Sequence, residues 1–218
     1  MNLASYIEHT NLRPELTITD IDRLVDEAKQ FNFLGVCVPP FWVKRASREI
    51  AKGEIILITV AGFPFGYNMT ETKLDEIQRA IDNGADEIDV VWNISSFKTG
   101  LPWTKIDIAK CTSLAHKHQK LLKVIVETAY LSDAELERGC KICADAGVDF
   151  VKTSTGFAPI GATVHQVALM KEVLPNDVGI KASGGIKTFE QAEAIINAGA
   201  SRIGTSAGVS ILSTNTHL

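Results

Sequence analysis

The stretch ICADAGVDFVK, Ile142–Lys152, joins the end of a predicted helix to a predicted strand. Gly147 supplies the helix stop, because glycine readily adopts the left-handed conformation found just past a helix. The same order recurs in AIDNGADEIDVV, Ala80–Val91, and in AIINAGASRIG, Ala194–Gly204. A strand that begins two or three residues after a helix is a short connection typical of alternating α/β folds. The repeat therefore predicts a chain built from helix–strand units.

Extending this pattern along the chain gives eight short apolar strands with room for a helix between successive strands. Eight such units predict an α/β fold of the (β/α)8 type, a TIM barrel, and we expect a single domain over residues 1–218. A doubly wound open sheet made of the same elements is the structural alternative. The predicted strands are Tyr6–Thr10, Gly35–Val38, Ile56–Val60, Glu87–Val91, Lys123–Glu127, Phe150–Thr153, Gly179–Ala182 and Arg202–Gly204.

Three predicted helices begin with a capping-box pattern, in which a hydroxyl residue stands three positions before a carboxylate or an amide. This pattern sets the expected first turn of each helix. The three pairs are Thr19 with Asp22, Ser132 with Glu135, and Thr188 with Gln191.

Composition narrows the classes of function. The formal net charge is −4 and no basic run occurs, which argues against a nucleic-acid partner. Apolar runs are too short for a membrane span and the first residues show no secretory signal, so we expect a cytoplasmic protein with no membrane partner. The four cysteines are then expected to be reduced. Cys140 and Cys143 have the spacing of a redox or metal motif, but no second pair completes a zinc site, and we interpret them as buried thiols. The histidines form no metal-spaced cluster, and we predict no metal site.

Two lysines end neighbouring predicted strands, in DFVKTSTGF (Asp149–Phe157) and in GIKASGG (Gly179–Gly185). A lysine on an apolar strand is costly unless its charge is paired or suppressed. Barrel strands lie roughly 5 Å apart, so inward Lys152 and Lys181 would be close, and each would disfavour protonation of the other. A neutral lysine attacks carbonyl carbon and forms Schiff bases. We interpret the pair as catalytic; the alternative is that the amines face the helices or pair with carboxylates.

Asp89, in DEIDVVWN, shares one strand face with Glu87 and Val91. If this face points inward, Asp89 is a buried carboxylate close to both amines. It could then keep Lys181 protonated and relay protons through water. A purely structural ion pair with Lys181 is the alternative.

Glycine-containing loops follow the last two predicted strands, in SGGIKT (Ser183–Thr188) and in GTSAG (Gly204–Gly208). Glycines let backbone N–H groups approach an anion, and helix N-termini favour negative charge. These two loops hold the usual phosphate position of such barrels, and Gly156 after the sixth strand can join them. Ordinary turns that need glycine geometry are the alternative interpretation.

Motifs of one known family occur in order over nearly the whole chain. They are IEHTNLRPE, GVCVPP, TVAGFPFG, GADEIDVVWNI, LLKVIVET, DFVKTSTGFAPIGAT, IKASGGIKT and RIGTSAG. Together they resemble the motifs of the deoxyribose-phosphate aldolases, which are class I aldolases of (β/α)8 fold. The most specific part of the resemblance is VKTSTGF with K-x-S-G-G-I downstream of it.

The resemblance implies reversible cleavage of 2-deoxy-D-ribose 5-phosphate to acetaldehyde and D-glyceraldehyde 3-phosphate, with no cofactor. It implies that Lys152 is the Schiff-base lysine, that Lys181 perturbs it, and that Asp89 belongs to the proton relay. It also implies a homo-oligomer, for which we expect a dimer. The positions that match the substrate and phosphate site are Thr155, Gly156, Gly184, Gly185, Gly204 and Ser206.

The chain departs from the family pattern at three places. Glu8 replaces the usual aspartate, so the groups that it contacts are expected to shift. Ala207 removes a hydroxyl from the last phosphate loop, which is expected to weaken phosphate binding. The ending SILSTNTHL has no tyrosine, so proton transfer would fall to Asp89 and water. Two other functions stay open: a Schiff-base aldolase for another phosphorylated sugar, and a non-covalent phosphate-binding barrel in which both lysines bind the anion.

Overall fold

Eight parallel strands form a closed barrel in chain order in the computed structural model, which describes residues 2–50 and 53–213. The first strand also pairs with the last, with His9 opposite Thr205, so the predicted (β/α)8 barrel is confirmed and the open sheet is excluded. The strands are β1 Ile7–Thr10, β2 Gly35–Val38, β3 Ile56–Ala61, β4 Glu87–Val91, β5 Leu121–Ile125, β6 Phe150–Lys152, β7 Gly179–Ser183 and β8 Arg202–Thr205.

Helices pack around the outside of this barrel and connect its strands. They are α1 Ile18–Phe31, α2 Val43–Ile50, α3 Thr70–Asp82, α4 Ile94–Lys98, α5 Trp103–Lys117, α6 Asp133–Asp145, α7 Val164–Val173, α8 Phe189–Asn197 and α9 Gly208–Ser213. Among the described residues, no helix is long and apolar enough to span a membrane.

In each of the three repeated stretches the glycine follows the end of a helix, as predicted. Gly84, Gly147 and Gly199 follow the ends of α3, α6 and α8 with φ values of 103°, 77° and 121°. Beyond the first of them, the N–H of Ala85 donates to the carbonyl of Ala80 at 3.0 Å, which satisfies one of the last free carbonyls of α3. The left-handed glycine thus turns the chain directly from helix to strand.

The predicted capping box at Thr19 and Asp22 is wrong, whereas those at Ser132 and Thr188 are confirmed. Helix α1 is capped two residues earlier, where the N–H of Thr17 donates to Asp20 Oδ2 at 3.0 Å. Asp22 instead pairs with Arg45 of α2 at 2.9 Å. Both threonines fit the local pattern, and only the packing of α1 against α2 distinguishes them.

Strand β5 starts and ends two residues earlier than predicted, while the other strands match within one residue at each end. The apolar run LLKVIV extends past both ends of the strand, so the pattern alone does not set its limits. The strand ends before Glu127 because this residue has a left-handed backbone, with φ of 52°.

The largest apolar core lies between the strands and the helices. A separate cluster of Cys37, Ile58 and Val60 occupies the strand face that also carries Asp89. Cys140 and Cys143 are buried free thiols on α6, as interpreted from the sequence, and burial raises the pKa of both. Residues 214–218, on which the expectation about the C-terminal ending partly rests, lie outside the described residues.

Candidate active site

Lys152 and Lys181 occupy matching positions on β6 and β7 and are both buried. Their ammonium nitrogens approach the same oxygen: Asp89 Oδ2 lies 2.8 Å from Lys152 Nζ and 2.6 Å from Lys181 Nζ. Asp89 itself has no exposed surface. The three residues named from the sequence are therefore brought into direct contact.

These three residues belong to a larger group, here called the central ion cluster, that fills the barrel interior. Lys123 Nζ lies 3.0 Å from Asp89 Oδ1 and 2.5 Å from Glu87 Oε2. Glu8 pairs with Lys181 and lies 3.7 Å from Lys123 Nζ. The members of the cluster are Glu8, Glu87, Asp89, Lys123, Lys152, Lys181 and Arg202.

Opposite charges counter the effect of burial on the pKa of three members of this cluster, Asp89, Glu8 and Lys181. Burial raises the pKa of Asp89, but the positive charges of Lys123 and Lys152 outweigh it and hold the pKa well below its ordinary value. Burial likewise raises the pKa of Glu8, and Lys123 with Lys181 leaves it lowered. Burial lowers the pKa of Lys181, whereas Asp89 and Glu8 reverse the shift and raise it. Asp89 is thus a carboxylate that can accept a proton, next to an amine that keeps its own.

The central ion cluster, as the described residues form it, holds four cationic side chains and three carboxylates. When all are ionised, one positive charge is in excess inside the barrel. Lys123 lies at ion-pair distance from Glu8, Glu87 and Asp89, and Lys181 from Glu8 and Asp89, whereas Lys152 pairs with Asp89 alone. Like charges at such distances disfavour one another, so Lys152 is the lysine with least compensation for its charge.

A cavity of about 510 Å³ opens at the carboxyl ends of the strands, directly above Lys152. Lys152 is the member of the central ion cluster that lines it; Asp89 and Lys181 lie beneath the surface of the cavity. All the residues predicted for substrate and phosphate line its wall: Thr155, Gly156, Gly184, Gly185, Gly204 and Ser206. The structure therefore places the Lys152 amine and the glycine loops in one cavity, where an anion and a carbonyl group of one small molecule can both be reached.

The glycines in this wall differ in what they require. Gly156, Gly184 and Gly185 have positive φ values of 87°, 84° and 78°, a region that side-chain-bearing residues rarely adopt. Gly204 has no such value; a Cβ there would lie 3.1 Å from Lys181 Cε. The first three glycines shape the loops, whereas Gly204 makes room for the stem of the buried lysine.

The comparisons with known proteins agree with this geometry. The sequence model of the family described as DeoC/LacD family aldolase matches residues 4–214. The chain belongs to the DeoC/LacD family of aldolases.

Two curated relatives of this family member match it over nearly their whole length. A deoxyribose-phosphate aldolase of Thermococcus gammatolerans is 47% identical over 215 residues, covering 97% of this chain and 96% of the relative. A protein of Bacillus licheniformis, described as deoxyribose-phosphate aldolase 2, is 48% identical over 214 residues, covering 98% and 96%. Among solved structures, the tetrameric deoxyribose phosphate aldolase of Aeropyrum pernix is 32% identical with a TM-score of 0.90, covering 99% of this chain and 91% of that chain.

Sequence reasoning missed several charged residues of the site in this DeoC/LacD aldolase, including Arg202 of the central ion cluster. Lys123 stands on the apolar strand β5 and carries the same signal that singled out Lys152, a lysine among apolar residues. Glu87 was placed on the correct face, but without a partner. Arg13 and Lys187 line the cavity and were visible in the motifs NLRPE and SGGIKT.

His9, the histidine at a strand end, points away from the cavity. Its Nε2 lies 2.6 Å from Glu27 Oε2 of α1, and its ring lies 5.0 Å from that of Phe33. These contacts give His9 a structural role between β1 and α1. Among the described residues, no group of three or more histidine, cysteine or acidic side chains is arranged to hold a metal ion.

Proposed function

We propose that this protein is a class I aldolase that reversibly cleaves 2-deoxy-D-ribose 5-phosphate to acetaldehyde and D-glyceraldehyde 3-phosphate. The observation that carries the proposal is the placement of Lys152, which is buried against Asp89 and also lines the cavity that contains the glycine loops. The DeoC/LacD family match and the names of the curated relatives support this choice of substrate.

Lys152 begins the reaction as the nucleophile. Its neutral amine attacks C1 of the open-chain aldehyde, and the resulting carbinolamine loses water to give an iminium ion. The C3 hydroxyl then loses its proton, the C2–C3 bond breaks, and its electron pair forms an enamine with the former iminium. D-Glyceraldehyde 3-phosphate leaves, the enamine is protonated at C2, and water releases acetaldehyde and regenerates Lys152.

Asp89 and Lys181 serve this sequence without leaving the barrel interior. The shared Oδ2 of Asp89 lies where it can take a proton from Lys152 and return one through water. Lys181 keeps its positive charge, since Asp89 and Glu8 both lie against it and raise its pKa. That fixed charge lies beside Lys152, against the same oxygen of Asp89.

The phosphate is bound at the loops after β6, β7 and β8. Gly156, Gly184 and Gly185 leave the backbone uncovered, and Ser206 adds a hydroxyl group at the same wall. Backbone N–H groups in such loops form anion-binding concavities. Arg13 and Lys187 place two positive charges at the mouth of the cavity.

Borohydride trapping tests the covalent step. With acetaldehyde and borohydride, we expect the peptide that contains Lys152 to gain the mass of an ethyl group. The Lys152→Arg variant should lose both trapping and turnover, because a guanidinium is not a usable nucleophile. Lys187→Arg, a matched change at a lysine of the same cavity, should keep acetaldehyde trapping.

Other outcomes of these assays would favour the alternative functions. An unmodified Lys152 peptide together with tight phosphate binding would indicate a non-covalent phosphate-binding barrel. Trapping together with faster turnover of another phosphorylated sugar would indicate a different Schiff-base aldolase.

We further propose that the enzyme acts in the cytoplasm as a homodimer and needs no cofactor. Its buried free thiols suit a reducing compartment. Tyr67, Met69, Leu101 and Trp103 line a surface cavity of about 490 Å³ away from the Lys152 site, and these four side chains are largely exposed. Exposed apolar patches of this kind commonly mark subunit contacts.

A further inference from the structure

Glu127 is a buried carboxylate that the proposed reaction does not use. It follows β5 and has only 3% of its surface exposed. Its backbone is left-handed, with φ of 52°, which is uncommon for a residue with a long side chain. Strained backbone of this kind concentrates at functional sites, so the position requires an explanation.

Every hydrogen bond described for the Glu127 carboxylate comes from one residue of the cavity wall. The backbone N–H of Thr155 donates to Oε1 at 3.3 Å and to Oε2 at 3.2 Å, and the Thr155 hydroxyl also donates to Oε2. Within the described residues, no cation lies at ion-pair distance from Glu127. Burial raises the pKa of Glu127, and the Thr155 hydrogen bonds together with the charge of Lys152 offset this only in part. Burying the Glu127 carboxylate therefore costs desolvation free energy, and its hydrogen bonds come from Thr155.

Thr155 is consequently limited in what it can bind. A hydroxyl group has one hydrogen to donate and two lone pairs that accept. A carboxylate only accepts, so the hydrogen of the Thr155 hydroxyl is directed to Glu127. One lone pair of Thr155 Oγ1 accepts the N–H of Phe157 at 3.0 Å. What remains toward the cavity is a single lone pair.

We infer that Glu127 is a positioning residue that makes Thr155 an acceptor for a hydroxyl group of the ligand. A phosphate dianion offers only acceptor oxygens, so it cannot satisfy the remaining lone pair of Thr155, whereas a sugar hydroxyl can. Thr155 therefore binds a hydroxyl group of the sugar part of the ligand, and the glycine loops bind its phosphate. The inference rests on the proposed function only for the class of ligand, a hydroxylated three- or five-carbon phosphate.

Equilibrium binding tests the inference without requiring catalysis. The probes are glycerol 3-phosphate and propane-1,3-diol monophosphate, which differ only in the central hydroxyl group. We expect the wild type to bind the first roughly tenfold more tightly in calorimetry, the effect of one net hydrogen bond. Thr155→Val and Glu127→Ala should each reduce this preference to within about twofold, and the double variant should lose nothing more, because both act on one interaction.

Conservative and control variants separate positioning from general structural damage. Glu127→Gln keeps a carbonyl oxygen that can accept from Thr155, so it should retain part of the preference, and it serves if Glu127→Ala does not fold. Glu135→Gln changes a carboxylate that caps α6, so it should lower stability but leave the tenfold preference intact.

The outcomes distinguish this inference from the proposed function. A Glu127→Ala or Glu127→Gln variant with the full wild-type preference would overturn the role of Glu127, even if Lys152 is trapped by acetaldehyde. If the Glu127 variants lose the preference but Lys152 of the wild type is never trapped by acetaldehyde, the inference about Glu127 stands and the aldolase mechanism is overturned.

Discussion

The Asp89 carboxylate uses its two oxygens for different partners. Oδ1 lies 3.0 Å from Lys123 Nζ, whereas Oδ2 meets both Lys152 and Lys181. Lys123 therefore holds the carboxylate in place from the side away from the reacting amine. Lys181 shares the oxygen through which a proton would move to or from Lys152. This difference separates a lysine that contacts Asp89 away from Lys152 from one that shares an Asp89 oxygen with it.

Paired substitutions of the two lysines should show this separation. Lys181→Met and Lys123→Met each remove one of the cations that pair with the buried carboxylates, so both should lower the free energy of unfolding by up to about 3–5 kcal/mol. Only Lys181→Met should also lower kcat by roughly 100-fold or more, the effect of removing a fixed charge that acts on the oxygen through which a proton moves to or from Lys152. Urea unfolding and steady-state cleavage of 2-deoxy-D-ribose 5-phosphate measure the two effects. Equal losses of kcat in both variants would contradict the assignment.

The lowered pKa values of Asp89 and Glu8 set the response of the fold to acid. A group with a lowered folded-state pKa stabilises the protein fully above its unfolded pKa, and that stability is lost as the pH falls toward the folded pKa. For Glu8, the loss of stability should begin as the pH approaches 4.5, the ordinary pKa of this side chain. Titration of these two groups should therefore leave the urea midpoint of unfolding unchanged between about pH 8 and pH 5 and lower it below about pH 4.5.

Glu8→Gln provides the test of this acid response. The variant should be less stable than the wild type at pH 7, since Lys181 loses one of its two carboxylate partners. Between about pH 4.5 and pH 3 its urea midpoint should fall less steeply, because one titrating carboxylate is gone. If the urea midpoint of Glu8→Gln fell with pH as steeply as that of the wild type, Glu8 would not contribute to the acid response.

At the scale of single elements, the connections between helices and strands do most to place the site. The β5–α6 connection carries Glu127, and the β6–α7 connection carries Thr155 and Gly156. The β6–α7 connection also packs on the end of β7 and the loop after it, where the N–H of Ala162 donates to the carbonyls of Ser183 at 3.0 Å and Gly184 at 3.2 Å. The cavity wall is thus formed by loops that support one another.

Helix α1 offers a test of how local contacts set the limits of an element. Thr17→Ala removes the side chain that accepts from the N–H of Asp20, so it should lower the free energy of unfolding by about 1 kcal/mol. Thr19→Ala, an exposed change inside the same helix, should stay within about 0.5 kcal/mol of the wild type. Guanidinium titrations compare the two variants. A larger loss of stability in Thr19→Ala than in Thr17→Ala would indicate that Thr19 caps the helix.

For the molecule as a whole, the barrel separates two kinds of interior. The layer between strands and helices is apolar and provides the hydrophobic stabilisation, while the inside of the barrel is largely filled by the central ion cluster. Buried ion pairs contribute little net stability, because desolvation offsets their attraction. The charged interior is therefore better explained by function than by folding.

The proposed dimer is tested on the exposed apolar patch around Met69 and Trp103. In sedimentation velocity we expect the wild type to behave as a dimer and the Met69→Lys/Trp103→Glu variant as a monomer, because buried charge opposes association. Phe41→Glu changes an exposed aromatic side chain that does not line this patch, so it should remain a dimer. A monomeric wild type, or a dimeric double variant, would count against this interface.

Much of the fold could be predicted because its signals are local. The left-handed glycines at Gly84, Gly147 and Gly199 and the apolar runs after them place the strands to within two residues. Lysines at the ends of two such strands were enough to indicate Lys152 and Lys181, since a barrel gathers its strand ends at one mouth. These features follow from backbone conformation and hydrophobic pattern over about ten residues.

Tertiary structure alone decided how the charges are shared. Barrel strands are buried on both faces, so an apolar run does not reveal which face turns inward. Lys123 was missed because the predicted strand began at this residue, which placed it at the strand end away from the site. The Lys181–Glu8 pair joins residues 173 positions apart, and only closure of β1 against β8 creates it. The Glu127–Thr155 contact likewise depends on two loops that meet in space. The sequence by itself determined the alternating elements and indicated two lysines at neighbouring strand ends. Barrel closure and strand register determined their partners, because ionic and hydrogen-bond energies depend on distances that no local pattern encodes.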